Sequence, residues 1–232
     1  MAELSCLSYW YPKIRDIVPT PATEILQTDV ELIHLLDGKT PDGFRDFLSK
    51  LRSAADRFGY PCFLRTGQGS GKHNWKHCCH VTDGELLDRH IAGLVEWSCM
   101  VDMMGLSYDV WVVREMLATT PLFHCTAYGD MPVVKEFRAF VDGAKVLYVN
   151  PYWPEDALEQ GHPDRIDWRS CLPQLVGNQL DLAIVENLSS RAGAAVGGKW
   201  SVDVLFARDQ CYVTDMAEAE RSWGWDPERS SS

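Results

Sequence analysis

The chain has 232 residues, 46% hydrophobic and 24% charged, with a formal net charge of -11. That length supports one large domain, or a small lobe beside a larger one, with a sizeable core. The acidic balance argues against a nucleic-acid backbone as the main partner, because such binding rests on Lys and Arg.

No apolar run approaches the roughly 20 residues of a membrane-spanning helix, and the opening MAELSCLSYWYPK has no signal-peptide pattern. The expected setting is therefore the cytoplasm, without a membrane partner, with the eight scattered cysteines as free thiols.

The N-terminal region reads as irregular, because Pro12, Pro19 and Pro21 break any long element. A helix is predicted from Thr40 to about Phe58, with Thr40 as cap and Phe44, Phe47, Leu48 and Leu51 as its apolar stripe. A short strand follows over Cys62 to Thr66, then the glycine loop GQGSGKH, then a second strand through about Val81. Thr82–Glu85 reads as a capping box opening a helix with Leu87, Ile91, Leu94 and Val95 on one face.

Val110 to Leu117 reads as a buried strand. Val133 to Val141 and Lys145 to Asn150 read as a hairpin around Asp142–Gly143. A helix is predicted over about Asp167 to Ser190, and Lys199 to Ala207 with Cys211 to Met216 as a closing hairpin. The pattern is α+β with mostly antiparallel pairing. The tail is expected to be mobile at its end.

Three constellations carry chemistry. The first is VVKEFRAFV. Side chains alternate along a strand, so Glu136 and Arg138 share a face with Val134 and Phe140, while Lys135 points the other way. Two charges inside an apolar strand require partners. They form either a structural ion pair or a site wall with Arg138 aimed at a phosphate oxygen.

The second is the closing hairpin. If its turn is Arg208 to Gln210, Asp203 lies directly opposite Asp215. Facing carboxylates repel, and a bound Mg²⁺ would remove that repulsion. A different register, or an Asp at the solvated rim, would dispense with the metal.

The third is FLRTGQGSGKHNWKH. It fails as a P-loop, because Thr66 stands where the first glycine belongs and His73 follows the lysine. Glycine-rich backbone with Arg65, Lys72 and Lys76 can still hold phosphate; the alternative is a solvated hairpin. Zinc at His73, His77 and Cys79 lacks the second half of a finger motif. No cysteine is singled out as a nucleophile.

Taken in order, these stretches resemble the ATP-grasp superfamily, most of all its cell division cycle protein 123 branch and related small ATP-grasp proteins. CFLRT with GQGSGKHNWKH looks like the strand and flap over the triphosphate. VVREML looks like the adenine-reading hinge, KEFRAFVDGAKVLYVN like the EFR strand and its partner, and WSVDVLFARDQCYVTDM like the closing metal-binding hairpin.

The resemblance implies two α+β lobes gripping ATP. Their extents would be a reduced N-terminal region 1–60, a small lobe 61–108, a large lobe 109–220 and a flexible tail 221–232. It implies phosphate contacts from Arg65, Lys72, Lys76 and Arg138, with Glu136 nearby in the catalytic set. It places Glu115 and Met116 at the hinge and Mg²⁺ on Asp203 and Asp215.

The chain departs from the family where an acid-x-Asn pattern is usual, because Ala217 replaces the Asn. The implied activity is an ATP- and Mg²⁺-dependent ligase that activates a carboxylate as an acyl phosphate for an amine. An ATP-binding assembly factor and a phosphotransferase are the alternatives. The loop Pro151 to Trp168 and the tail around Trp223 and Trp225 are candidate contacts for the acceptor.

Overall fold

The computed structural model describes residues 4–101 and 105–229. The fold is α+β and forms two compact units. One comprises Ala22–Met116 and Tyr128–Met131; the other comprises Met1–Pro21, Leu117–Ala127 and Pro132–Ser232. The boundaries expected at 60/61 and 108/109 both fall inside the first of these. No helix among the described residues is long and apolar enough to cross a membrane.

The N-terminal region is more regular than its prolines suggest. Leu7–Ile14 is a helix (α1) with Pro12 inside it. An interior proline costs about 3 kcal/mol. The stripe Leu7, Trp10, Tyr11 and Ile14 is buried, at about 1.5–3 kcal/mol for each fully buried large side chain, so packing overrides the proline.

The next unit begins with β1 (Thr23–Gln27) and continues through α2 (Phe44–Phe58), β2 (Cys62–Thr66), β3 (His80–Val81), α3 (Leu87–Met100) and β4 (Val110–Glu115). Its sheet has the order β1-β4-β2-β3. α2 starts four residues later than expected, after Gly43 at φ 77° rather than at Thr40. One sheet face, with Leu26, Cys62, Leu64, Trp111 and Val113, packs on Phe47 and Leu51 of α2 and Ile91 and Leu94 of α3. The second strand of the glycine hairpin shrinks to the two residues of β3, because a 3-10 turn occupies Lys72–Asn74.

Beyond β4 the chain forms a two-stranded ribbon, β5 (Phe123–Cys125) with β6 (Met131–Val133). The expected strand 133–141 is therefore interrupted at Val134–Lys135, and β7 runs only Glu136–Asp142. The interrupted residues still use their carbonyls: Trp153 Nε1 donates to Val134 O at 3.2 Å and Phe206 N to Lys135 O at 3.0 Å. β8 (Lys145–Pro151) follows through a tight turn, since Asp142 pairs with Lys145.

α4 (Glu155–Gln160), α5 (Leu172–Val176) and α6 (Gln179–Val196) come next. The helix expected over 167–190 is thus broken in two. Gly177 sits at φ 73°, where an added Cβ would meet the Phe137 ring at 2.6 Å. Asn178 and Asp181 form a reciprocal capping box that restarts the helix.

β9 (Lys199–Phe206) and β10 (Cys211–Glu218) complete a second sheet in the order β10-β9-β7-β8. Residues 222–229 of the tail are pinned by hydrogen bonds and ring contacts; 230–232 lie outside the described residues.

Asp181 ties this unit together. Its carboxylate accepts Asn178 N at 3.0 Å and Lys135 Nζ at 2.9 Å. Burial pushes its carboxyl up, but the Lys135 hydrogen bond, the Asn178 N–H and the Lys135 charge outweigh that and hold it below the ordinary value. A depressed carboxyl stabilises the fold above its unfolded pKa of about 3.9, and the contribution fades as pH falls through the folded value. Asp181→Ala is expected to cost about 2 kcal/mol near neutral pH, and urea denaturation should show the gap from wild type narrowing below about pH 4. A gap unchanged down to pH 2.5 would refute the role given to the charge.

Candidate functional site

Each unit has a sheet face that carries buried charged side chains. In the unit built on β7–β10, strand register assembles the charges. Arg138 is directly opposite Asp203 on β9 and Asn150 on β8. Asp203 is in turn opposite Asp215 on β10. That register arises differently from the expected three-residue turn. Phe206 pairs with Cys211, which leaves a four-residue loop, and a bulge at Thr214 then restores the Asp203–Asp215 pairing.

Arg138 grips Asp203 with both branches: Nε to Oδ1 at 2.7 Å and Nη2 to Oδ2 at 2.8 Å. The side chains are 16% and 4% exposed. Burial opposes the charge on Arg138, yet the Asp203 carboxylate, with help from Tyr152 and Asp215, holds its pKa above the ordinary value. The Tyr152 ring lies 4.9 Å from Cζ, within cation–π range. Glu136 is buried on the same face, where Thr214 Oγ1 donates to it at 3.4 Å.

The repulsion that the facing aspartates would suffer is therefore already offset by Arg138. The face carries three carboxyl groups, Glu136, Asp203 and Asp215, to the one guanidinium of Arg138. Each Asp203 oxygen keeps a lone pair after accepting from Arg138, and Asp215 Oδ1 accepts Met216 N at 3.0 Å. These donors fit one Mg²⁺ that takes two carboxylates and completes its shell from phosphate and water. Ala217, where the resemblance implies an Asn, offers no donor for a second ion. Ala217 lies opposite Ser201, whose hydroxyl is 2.7 Å from that of Ser222.

In the unit of β1–β4, Arg65 and Arg114 share the face opposite the core. Arg65 pairs with Val112 and Phe63 with Arg114. Arg65 is buried, and its Nε donates to Thr66 O at 3.0 Å. Arg114 was not singled out from the sequence. Its signal was available, since it is the lone cation closing an apolar strand, as Arg65 is in β2.

The glycine loop is packed rather than solvated. A Cβ on Gly69 would meet the Trp97 ring at 2.3 Å, and Gly71 adopts φ 60° against Cys78. Thr66 Oγ1 is 3.1 Å from both Gly69 N and Gly69 O. Lys72 is half-buried in the 3-10 turn, and Lys76 pairs with Asp130.

At the segment leading out of this unit, Glu115 Oε1 accepts Ala22 N at 2.6 Å, and Met116 is half-buried. Among the described residues no three His, Cys, Asp or Glu side chains gather to hold a metal. Burial pushes the thiols of Cys62, Cys78 and Cys125 up to about 11, far from the range of a reactive thiolate.

No protein-family model matches the chain, and neither does any curated protein. Solved structures do. Cdc123 from Schizosaccharomyces pombe is 15% identical with a TM-score of 0.54, over 95% of this chain and 86% of that one. D-alanine–D-alanine ligase from Bacillus anthracis complexed with ATP is 12% identical with a TM-score of 0.51, over 98% of this chain and 59% of that one. A RimK domain ATP-grasp protein from Sphaerobacter thermophilus is 14% identical with a TM-score of 0.50, over 93% and 59%. The fold is therefore that of ATP-grasp proteins, Cdc123 among the structures it resembles.

Asp203→Ala leaves a buried guanidinium without its carboxylate, and breaking such a pair costs about 3–5 kcal/mol. Asp215→Ala, at a half-buried position, should cost about 1 kcal/mol or less. Thermal unfolding of the two variants checks the contrast, and equal losses would show that Arg138 does not depend on Asp203.

Proposed function

We propose that the protein binds ATP with Mg²⁺ and uses it as an ATP-grasp ligase, activating a carboxylate as an acyl phosphate that an amine captures. The observation that carries this reading is the Asn150–Arg138–Asp203–Asp215 row across four strands of one sheet face, set in an ATP-grasp fold.

The chemistry needs charge neutralisation and positioning rather than a protein nucleophile. Arg138 is assigned to the transferred phosphate. Asp203 holds its guanidinium plane, and Tyr152 covers one face of it. Mg²⁺, held by Asp203 and Asp215, supplies further neutralisation of the triphosphate when bound. Glu136 is assigned to orienting Thr214 and the neighbouring hydroxyls. In the other unit Arg65, Lys72 and Lys76 are assigned to phosphate, and Glu115 and Met116 to adenine and ribose. The acceptor is a small molecule or a protein.

A second reading rests on Ala217. With a non-ligating side chain where the resemblance calls for Asn, the protein would bind ATP as an assembly factor and not turn it over. A phosphotransferase would differ from the ligase only in stopping at a phosphorylated product.

Incubation with ATP, Mg²⁺ and pooled carboxylates and amines is expected to give acceptor-dependent ADP and phosphate. Asp215→Asn should lower that release by about 100-fold or more, because a positioned charge at a reacting phosphate is worth several kcal/mol. Tight ATP binding without ADP release would support the assembly factor, and ADP with a phosphorylated product the phosphotransferase. Failure to bind ATP at all would sink every one of these readings.

Arg65→Ala is expected to weaken ATP binding more than Lys72→Ala, since Arg65 is anchored on β2 whereas Lys72 stands in a turn. The reverse order in a calorimetric titration would restore the loop lysine as the main phosphate contact.

A further inference from the structure

The chain does not stop at β10. After a 3-10 turn over Ala219–Arg221 it folds back onto the face that carries Arg138. Ser222 Oγ lies 2.7 Å from Ser201 Oγ. Gly224 turns the chain at φ 84°, a left-handed conformation that suits glycine.

The Trp225 ring then packs on Phe140 and Tyr148, with centroids 5.5 and 6.3 Å away. Tyr148 clamps this segment from both sides of Trp225. Its hydroxyl donates to Gly224 O at 3.3 Å and accepts from Asp226 N at 2.6 Å. Arg229 lies 4.1 Å over the Tyr148 ring and donates to Asn150 Oδ1 at 3.2 Å. Asn150 is the residue opposite Arg138 on β8.

The consequence falls on Arg138. Its Nη1 donates to the Trp223 carbonyl at 3.3 Å. A guanidinium has five N–H groups. Asp203 takes one from Nε and one from Nη2, and Trp223 takes one from Nη1. Two remain, one on each terminal nitrogen, enough for two oxygens of one phosphate group.

We propose that Ser222–Arg229 is a positioning strap for Arg138: docked on Tyr148 and Phe140, it holds the guanidinium through the Trp223 carbonyl so that a two-donor fork is left for the β- or γ-phosphate. This rests on the ATP reading above. Tyr148 and Trp223 are positioning residues, because they act through Arg138.

Tyr148→Phe removes only the hydroxyl that clamps the strap and keeps the ring on which Trp225 packs. Calorimetric titration of the full chain with MgATP and separately with AMP tests the idea, in wild type, Tyr148→Phe, Arg138→Ala and the double variant. The expected result is MgATP binding weakened about 3- to 10-fold by Tyr148→Phe, the size of one or two hydrogen bonds. AMP binding should be unchanged, and MgATP should show no further loss when Arg138 is already alanine. A general structural role would weaken MgATP and AMP alike, or act equally in the Arg138→Ala background, and either outcome overturns the strap. Wild-type binding with no effect of Tyr148→Phe overturns the strap alone. Absence of MgATP binding in wild type overturns the nucleotide reading and the strap with it.

Discussion

The polar face of the β7–β10 sheet is organised by one buried pair, Arg138 with Asp203. Neither charge is tolerable there without the other, since a lone ion in such surroundings costs several kcal/mol. The bidentate geometry also fixes what the pair leaves over: three N–H groups on Arg138, of which the Trp223 carbonyl takes one, and one lone pair on each Asp203 oxygen. The same contact that makes the charges affordable in the sheet thus presents a donor fork and an acceptor edge side by side. Asp215, Glu136, Asn150 and Tyr152 each meet that arrangement from a neighbouring position. Asp203 and Arg138 cannot be probed separately, because removing either one first disturbs the other.

Much of this was legible in the sequence, for a definite reason. Strand alternation is a rigid rule, so placing Glu136, Arg138 and Phe140 on one face needed only the assignment of a strand. β2 came out over Cys62–Thr66 as expected. The Asp203–Asp215 opposition was also readable, but by a route that differs from the actual one. A three-residue turn and a four-residue loop with a bulge yield the same register, and local sequence does not distinguish them.

What was not legible depends on contacts distant in the chain. α1 survives Pro12 through packing of its apolar stripe. The 167–190 helix breaks at Gly177, whose left-handed backbone sits where Phe137, far away in sequence, leaves no room for a Cβ. The Asn178-x-x-Asp181 box is a local signal for the restart. The link from Asp203 to Arg138, rather than to a cation alone, follows from β7 lying beside β9, which no single segment reveals.

The glycine loop illustrates the same division in the other unit. In sequence its glycines suit either backbone donors for phosphate or a solvated hairpin, and in the structure two of them have a packing reason. Gly69 must clear Trp97, and Gly71 takes a left-handed turn against Cys78. A loop held on Thr66 and Trp97 is a poor candidate for a freely moving flap, whereas its buried neighbour Arg65 stands on a rigid strand. The cation best fixed in this region is therefore the one on β2, with Lys72 in a short turn and Lys76 engaged by Asp130.

Ala217 connects the two unusual features of the polar face. It pairs with Ser201, two residues along from the Asp203–Asp215 pair, so its side chain points to the same side. A larger amide there would project beside the Ser201 hydroxyl, which in this chain meets Ser222 at the root of the tail. A methyl group leaves that hydroxyl contact uncrowded. Ala217 and the docking of the C-terminal segment thus meet at one place on the sheet.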